Sequence, residues 1–340
     1  DAHTFSAVDP LLGGDEALRR LTAAAHARGI RVLGDFTSNH TGVTHEWFEA
    51  ARRDRKAPER DFYYFDADGD GYAAWLGVRS LPKLNHASPL LRQRLFDDPQ
   101  GVVRKWLGPD GDLDGWRVDV ANMSGRYQGE DRYHEVARSM RAASVAARPD
   151  ALVVAEHCHD VSTDLTGDGW HGVMNYMGFT RPVWTWLADP ADPPEFLGQP
   201  VPVPHLGGGA VAETMRDFTS RIAWSLLTTS FNLVGSHDTS RIRSLVGADP
   251  RLVEVAAGLL FTMPGIPMVT YGDEVGMRGS FGEDGRRPMP WAQAGGGPQW
   301  DEGLRTAYAR LARLRRESVA LRRGGLRWVY AGDNVLVYLR

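Results

Sequence analysis

The chain has 340 residues, 42% hydrophobic and 10% aromatic, enough for a sizeable core in one large domain or one plus part of a second. A formal charge of −4 and a pI near 6.3, with basic residues scattered along helical stretches (Arg310, Arg313, Arg315, Arg316), argue against nucleic acid as a partner. Cys158 is the single cysteine, which excludes an intrachain disulfide and lends secretion no support, and no apolar run is long enough to span a bilayer. The chain is expected to be cytoplasmic rather than secreted. It opens at Asp1 without a Met, so the lack of a signal peptide decides nothing.

In chain order, residues 14–28 carry the pattern of an amphipathic helix, with Asp15 near its start and Gly29 past its end. A buried strand follows over 30–36 and runs into TSNH. Strands are expected over 114–120, 152–155, 172–176, 231–235 and 266–271, and helices over 133–147, 212–229, 252–262 and 304–317. Helix and strand alternate, which predicts an α/β fold with a parallel sheet, either a doubly wound open sheet or a (β/α)8 TIM barrel. No GxGxxG follows a strand, which removes the usual sign of a dinucleotide-binding sheet. Polar residues instead recur at strand ends: Asn39 and His40, Asp119, Glu156, His237 and Asp238, Asp273 and Glu274. A barrel builds its active site in that way, and the barrel is preferred.

Two segments interrupt the alternation. Residues 41–82 hold an aromatic and acidic insertion, DFYYFDADGDGYAAW, too long for an ordinary βα loop and expected to form a small hairpin subdomain over the site, about 41–84. Beyond Glu317 the pattern turns to period two, LRWVY and NVLVYL around AGDN, as in a β-hairpin. The expected domains are therefore a catalytic barrel over 1–319 and the start of a β-sandwich over 320–340. The Gly- and Pro-rich stretch 190–209 is expected to be an exposed loop. Six strands are legible where a barrel needs eight. The first helix has no strand before it, so two strands are expected upstream of Asp1. A native chain longer than this one is expected, and this polypeptide alone is expected to be poorly soluble or inactive, with unpaired edges near Ile30 and Ile266.

The stretch GWRVDVAN, 115–122, places Arg117 and Asp119 on one face of a buried strand. Alone, that pair reads equally as a structural ion pair or a catalytic one. Asp119, Glu156 and Asp238 end three different strands, which converge on one mouth in a barrel. Carboxylates crowded together repel, and at least one is then held protonated. Glycoside hydrolysis needs that combination of an ionised nucleophile and a protonated acid.

DFTSNH, GWRVDVAN, VVAEH and VGSHD, in this order, resemble the four signature regions of the α-amylase family of glycoside hydrolases. LPKLN (81–85), YGDE and RRPMPW also fall where that family has related motifs. VDVAN together with LPKLN resembles its neopullulanase, cyclomaltodextrinase and maltodextrin-glucosidase branch. The resemblance implies a retaining hydrolase of α-glucosidic, mainly α-1,4, bonds in maltodextrins, cyclodextrins or related α-glucans, with an oligosaccharide as its partner. A transglycosylase or isomerase acting on sucrose, maltose or trehalose, or a non-catalytic glycan-binding homologue, stay open.

The resemblance also implies roles. Asp119 matches the nucleophile, Arg117 the charge that keeps it ionised, Glu156 the general acid/base and Asp238 the third acid. His40 and His237 match histidines that bind sugar hydroxyls. Asp35 is expected to hold loops together, and Arg241 and Glu274 to be structural. Trp75, Tyr72 and Trp170 are expected to pack more than to stack on sugar. DADGDG (66–71) and DLTGDG (164–169) start like calcium loops but lack the final Glu, so turns are expected. No cofactor is required, although related amylases often bind a structural calcium at the equivalent of Asn39. The branch often carries an N-terminal β-sandwich that mediates dimers, so a homodimer is expected of the full-length protein.

Overall fold

The computed structural model describes residues 2–69, 71–191, 195–196, 199–200, 203–291 and 300–340. They form two units: one runs to His157 and takes in Thr163–Val173, the other comprises Cys158–Ser162 and Met174–Arg340. Among the described residues no helix is long and apolar enough to cross a membrane.

The first unit contains helices α1 (Gly14–His26), α2 (Glu46–Arg53), α3 (Val102–Leu107) and α4 (Tyr133–Ala147). Its strands are β1 (Leu33–Thr37), β2 (Gly115–Asp119), β3 (Leu152–Ala155) and β4 (Gly172–Val173). The four strands are parallel and stand in chain order, β1-β2-β3-β4. A doubly wound sheet reverses its strand order at a switch point; these strands follow one another as barrel staves do. Among the described residues they do not close into an eight-stranded barrel. Val118, Val153 and Val154 are fully buried along the sheet, as the apolar runs require. Gly115 lets β2 meet β3, since a Cβ there would stand 2.0 Å from the Leu152 carbonyl oxygen.

Two expectations change here. The insertion holds α2, a 3-10 turn at Pro58–Phe62 and isolated bridges, Phe65 with Tyr72 and Ala74 with Pro82, in place of a continuous hairpin. Its aromatics pack on one another: Phe48 lies 4.9 Å from Tyr63 and 4.8 Å from Tyr72. The expected strand over 172–176 is reduced to Gly172–Val173.

The second unit contains α5 (Arg181–Leu187), α6 (Gly208–Ser220), α7 (Trp224–Thr229), α8 (Pro250–Thr262) and α9 (Glu302–Glu317). Strands β5 (Phe231–Leu233) and β6 (Ile266–Met268) pair in parallel. Val183, Trp184, Val211, Met215, Ile242 and Leu260 form its core. The terminal hairpin, β7 (Arg327–Gly332) and β8 (Val335–Leu339), is antiparallel and rests Trp328 and Tyr338 on that core. The single helix expected over 212–229 is two helices. Thr219 and Ser220 donate to the carbonyls of Met215 and Asp217, the local back-bonding that competes with helix propagation. Parts of the 190–209 stretch lie outside the described residues.

Candidate active site

Strand register assembles the first group of acids. Across β1 and β2, Asp35 faces Arg117 and Thr37 faces Asp119. Across β2 and β3, Val118 faces Ala155, and the Glu156 N–H continues the ladder to the Val118 carbonyl at 2.9 Å. One guanidinium thus meets three carboxylates. Arg117 Nη1 donates to Asp119 Oδ1 at 2.6 Å and to both Asp35 oxygens at 2.9 Å. Its Nη2 lies 3.1 Å from Glu156 Oε2. Burial disfavours the Arg117 charge, but Glu156, Asp35 and Asp119 outweigh it and hold the group above its usual range. Asp35, expected to fasten loops, is instead part of this cluster, because register places it opposite Arg117.

Beyond Asp119 the chain turns sharply. Val120 takes a left-handed conformation, φ 47 and ψ 34, and its N–H donates to Glu156 Oε2 at 2.7 Å. The strand expected to reach residue 120 therefore stops at Asp119.

His40, at the end of β1, is buried and stacks on Trp75 with ring centroids 5.4 Å apart. Burial depresses its pKa to about 4, Lys83 adds to that, and the nearby Asp119 opposes it. Trp75 Nε1 meets Met123 Sδ at 3.2 Å, so this ring packs on the turn after β2. Trp170 is a core residue whose Nε1 donates to Tyr133 Oη at 2.7 Å, and Tyr72 Oη donates to the Arg79 carbonyl at 2.7 Å.

The second unit carries His237 and Asp238. Arg286 Nη2 donates to Asp238 Oδ1 at 2.9 Å, and its Nε to the His237 carbonyl at 2.7 Å. His237 Nε2 lies 3.3 Å from Asp238 Oδ2. The Asp238 N–H donates to Ser236 Oγ at 3.2 Å, which also receives Tyr176 Oη at 2.9 Å. Arg241 and Asp273 form a buried pair at 3.0 Å, and Glu274 Oε2 accepts the Gly272 N–H at 2.7 Å, both structural roles.

The residues around Asn39 do not fit a calcium ion. Its buried Oδ1 receives the Lys83 ammonium at 2.5 Å, and Lys83 also donates to the Met123 carbonyl at 3.0 Å. A hard dication needs an all-oxygen shell that a lysine head does not join. In DLTGDG, the Asp164 oxygens are taken by Arg126 at 2.8 Å and His157 at 2.8 Å. In DADGDG, Asp66 Oδ1 accepts the Gly69 N–H at 2.8 Å as a turn does, while Asp70 lies outside the described residues.

Residues 1–308 match the model of the α-amylase catalytic domain. The chain belongs to the α-amylase family. Within it, a cyclomaltodextrinase of Geobacillus thermopakistaniensis is 30% identical over 349 residues, covering all of this chain and 54% of that protein. Neopullulanase 2 of Thermoactinomyces vulgaris is 30% identical, covering 99% of this chain and 54% of that protein. The chain thus spans about half the length of these curated relatives. Among solved structures, Ttha1563 from Thermus thermophilus aligns with a TM-score of 0.85 at 33% identity, covering 99% of this chain and 69% of that one. The cyclic α-maltosyl-(1→6)-maltose hydrolase of Arthrobacter globiformis aligns at 0.86 and 27%, covering 100% and 71%. Sequence reasoning missed Lys83, Asp35 and Arg286 as partners of the motif residues. Only register and loop geometry bring these together, although RRPMPW had singled out the stretch containing Arg286.

Proposed function

We propose that this chain is the catalytic part of a retaining glycoside hydrolase acting on α-glucosidic, mainly α-1,4, bonds in maltodextrins, cyclodextrins or related α-glucans. The observation that carries the reading is the single guanidinium shared by Asp119 and Glu156 on adjacent strands. Neighbouring strands run about 4.8 Å apart, which suits the roughly 5–5.5 Å separation of a retaining pair better than the wider gap of an inverting one. Family membership and relatives named cyclomaltodextrinase, neopullulanase and intracellular maltogenic amylase support the substrate class. The Arthrobacter globiformis hydrolase has been solved with maltose and with cyclic maltosyl-maltose, which supports an oligosaccharide partner.

In this reading Asp119, kept ionised by Arg117, attacks the anomeric carbon and forms a glycosyl ester. Glu156 protonates the departing glycosidic oxygen, then takes a proton from the water that cleaves the ester. Two inversions leave the product α-configured. Asp238 holds sugar hydroxyls and favours the distorted ring, and His40 and His237 donate to sugar hydroxyls. His40 acts as a neutral imidazole.

The parallel strands are proposed to be staves of a (β/α)8 barrel of which residues 1–319 form a part, with 41–84 as its inserted subdomain and 320–340 opening a β domain. A cytoplasmic location is supported by the Bacillus subtilis relative named as intracellular. A homodimer of the whole protein is proposed by analogy with the branch, and light scattering reads it directly. The deciding experiment is Asp119→Asn in the full-length protein, assayed on maltotriose with NMR detection of the released anomer. The expected outcome is α-anomer from the wild type and none above background from the variant. Undiminished turnover in the variant would overturn the assignment.

A further inference from the structure

Val120 is β-branched, yet it sits in the left-handed region, which such residues rarely enter. Both of its backbone polar groups are committed. The N–H reaches Glu156 Oε2 at 2.7 Å, and the carbonyl accepts the Met123 N–H at 3.1 Å and Ser124 Oγ at 3.3 Å. Ser124 Oγ is anchored in turn by Ser38 Oγ at 2.6 Å, and both serines are buried. A strained backbone persists only where its surroundings over-determine it, and here the turn, the serine pair and the carboxylate do so together.

Glu156 Oε2 thus accepts the Val120 N–H and lies in an ion pair with Arg117 Nη2 at 3.1 Å. The other charged groups on this cluster are Asp119 and Asp35, both held by the same guanidinium. An oxygen that accepts an N–H and sits beside a guanidinium charge is a poor place for a proton.

We propose that Val120 is a positioning residue: its strained main chain fixes the Glu156 carboxyl so that Oε1 carries the proton delivered to the leaving group. The inference rests on the reading of Glu156 as the general acid. It explains why the residue following the proposed nucleophile departs from the strand, since the same peptide unit ends β2 and orients the acid of β3. Without the amide, Glu156 can rotate or place its proton on Oε2, and protonation of the leaving oxygen suffers while attack by Asp119 does not.

The test replaces the Val120 amide with an ester by incorporating the α-hydroxy analogue of valine, which removes the donor and keeps the side chain. Val120→Gly is the companion variant, because it retains the N–H and tolerates positive φ. Both are assayed in the intact protein on maltotriose and on an aryl α-maltoside with a strongly acidic phenol. The ester variant is expected to lose about tenfold or more on maltotriose, whose leaving group needs the proton, and to change little on the aryl substrate. Val120→Gly is expected to show no such substrate-dependent split. An equal loss on both substrates, or no loss on maltotriose, in an ester variant that remains folded by circular dichroism would overturn the proposal while leaving the hydrolase reading intact. A wild type that cleaves neither substrate would overturn both. If the ester variant does not fold, the split appearing in Val120→Gly, which keeps the donor, overturns the role of the amide, and its absence supports it.

Discussion

Each of the two units buries an arginine among carboxylates, but they do so differently. In the first, Arg117 is shared by Asp35, Asp119 and Glu156, and two of these acids keep some exposure. In the second, Arg241 is paired with the single acid Asp273, both almost wholly buried, and its remaining donors go to the carbonyls of Tyr271 and Gly285. A buried one-to-one pair of that kind, its arginine fully bonded, holds loops in place. An arginine outnumbered by acids leaves negative charge over, which is what a nucleophile needs. The contrast separates a structural ion pair from the one proposed to be catalytic without reference to any motif.

Removing each arginine is the strongest way to break the comparison. Arg117→Met is expected to lower kcat/KM on the order of 10²–10³-fold and to cost about 3–5 kcal/mol of stability, since three carboxylates cannot all neutralise at pH 7. Arg241→Met is expected to cost a similar amount at pH 8 and visibly less at pH 6, because Asp273 can take up a proton. Urea unfolding of both variants at the two pH values reads the difference, and equal pH dependence would collapse the distinction.

Acid titration is expected to sharpen it. In the first unit, burial depresses His40, His45 and His86 to about 4. Between about 6.5 and 4 the unfolded chain then binds protons that the folded chain refuses, so stability falls as the pH drops through that window. Each histidine contributes roughly 1.4 kcal/mol per pH unit at most. In the second unit the sign is opposite: burial, against the pull of Arg241, raises Asp273 to about 7. There the folded state gains a proton first, and its stability rises as pH falls from 7 toward 4. Hydrogen exchange corrected for intrinsic rates at pH 7 and pH 5 should show β1 and α2 losing protection while the segment around Asp273 does not. The reverse pattern would contradict both assignments.

Smaller effects test the surroundings. Trp75→Ala removes the ring stacked on His40 and is expected to lower kcat/KM about fivefold, equivalent to ~1 kcal/mol, with kcat less affected than KM. Unchanged steady-state constants would make Trp75 packing alone. Asp301, whose carboxylate accepts the Leu304 N–H at 3.1 Å as the N-cap of α9, gives the mildest case. Asp301→Ala is expected to cost about 1 kcal/mol in thermal or urea unfolding with activity intact.

Where local chemistry decides structure, the elements were readable from the residues. Tyr133–Ala147 and Leu152–Ala155 were placed to the residue by periodicity, and the acids at strand ends followed from the alternation. Reading failed where tertiary geometry overrides local preference. Valine at 120 favours a strand by propensity, yet it turns because its two polar groups find better partners outside the ladder. β1 starts at Leu33, not Ile30, because pairing begins where Gly115 arrives opposite it. Asp35 and Lys83 could not be assigned their partners, since cross-strand and loop contacts are set by register and not by spacing along the chain. The α-glucan reading rested on motif order more than on any single pair.

The guanidinium shared at Arg117 also bears on how one glutamate can play two opposite parts in turn. In the proposed mechanism, esterification of Asp119 coincides with loss of the Glu156 proton to the leaving group, so negative charge passes from one carboxylate to the other while Arg117 and Asp35 stay as they were. The field of Arg117 then falls more fully on Glu156, which favours the deprotonated form needed to activate water. Hydrolysis of the ester restores the charge at Asp119 and returns the glutamate to acid duty. On the proposed reading the cluster works as a two-stroke charge cycle in which the covalent state of one carboxylate resets the other.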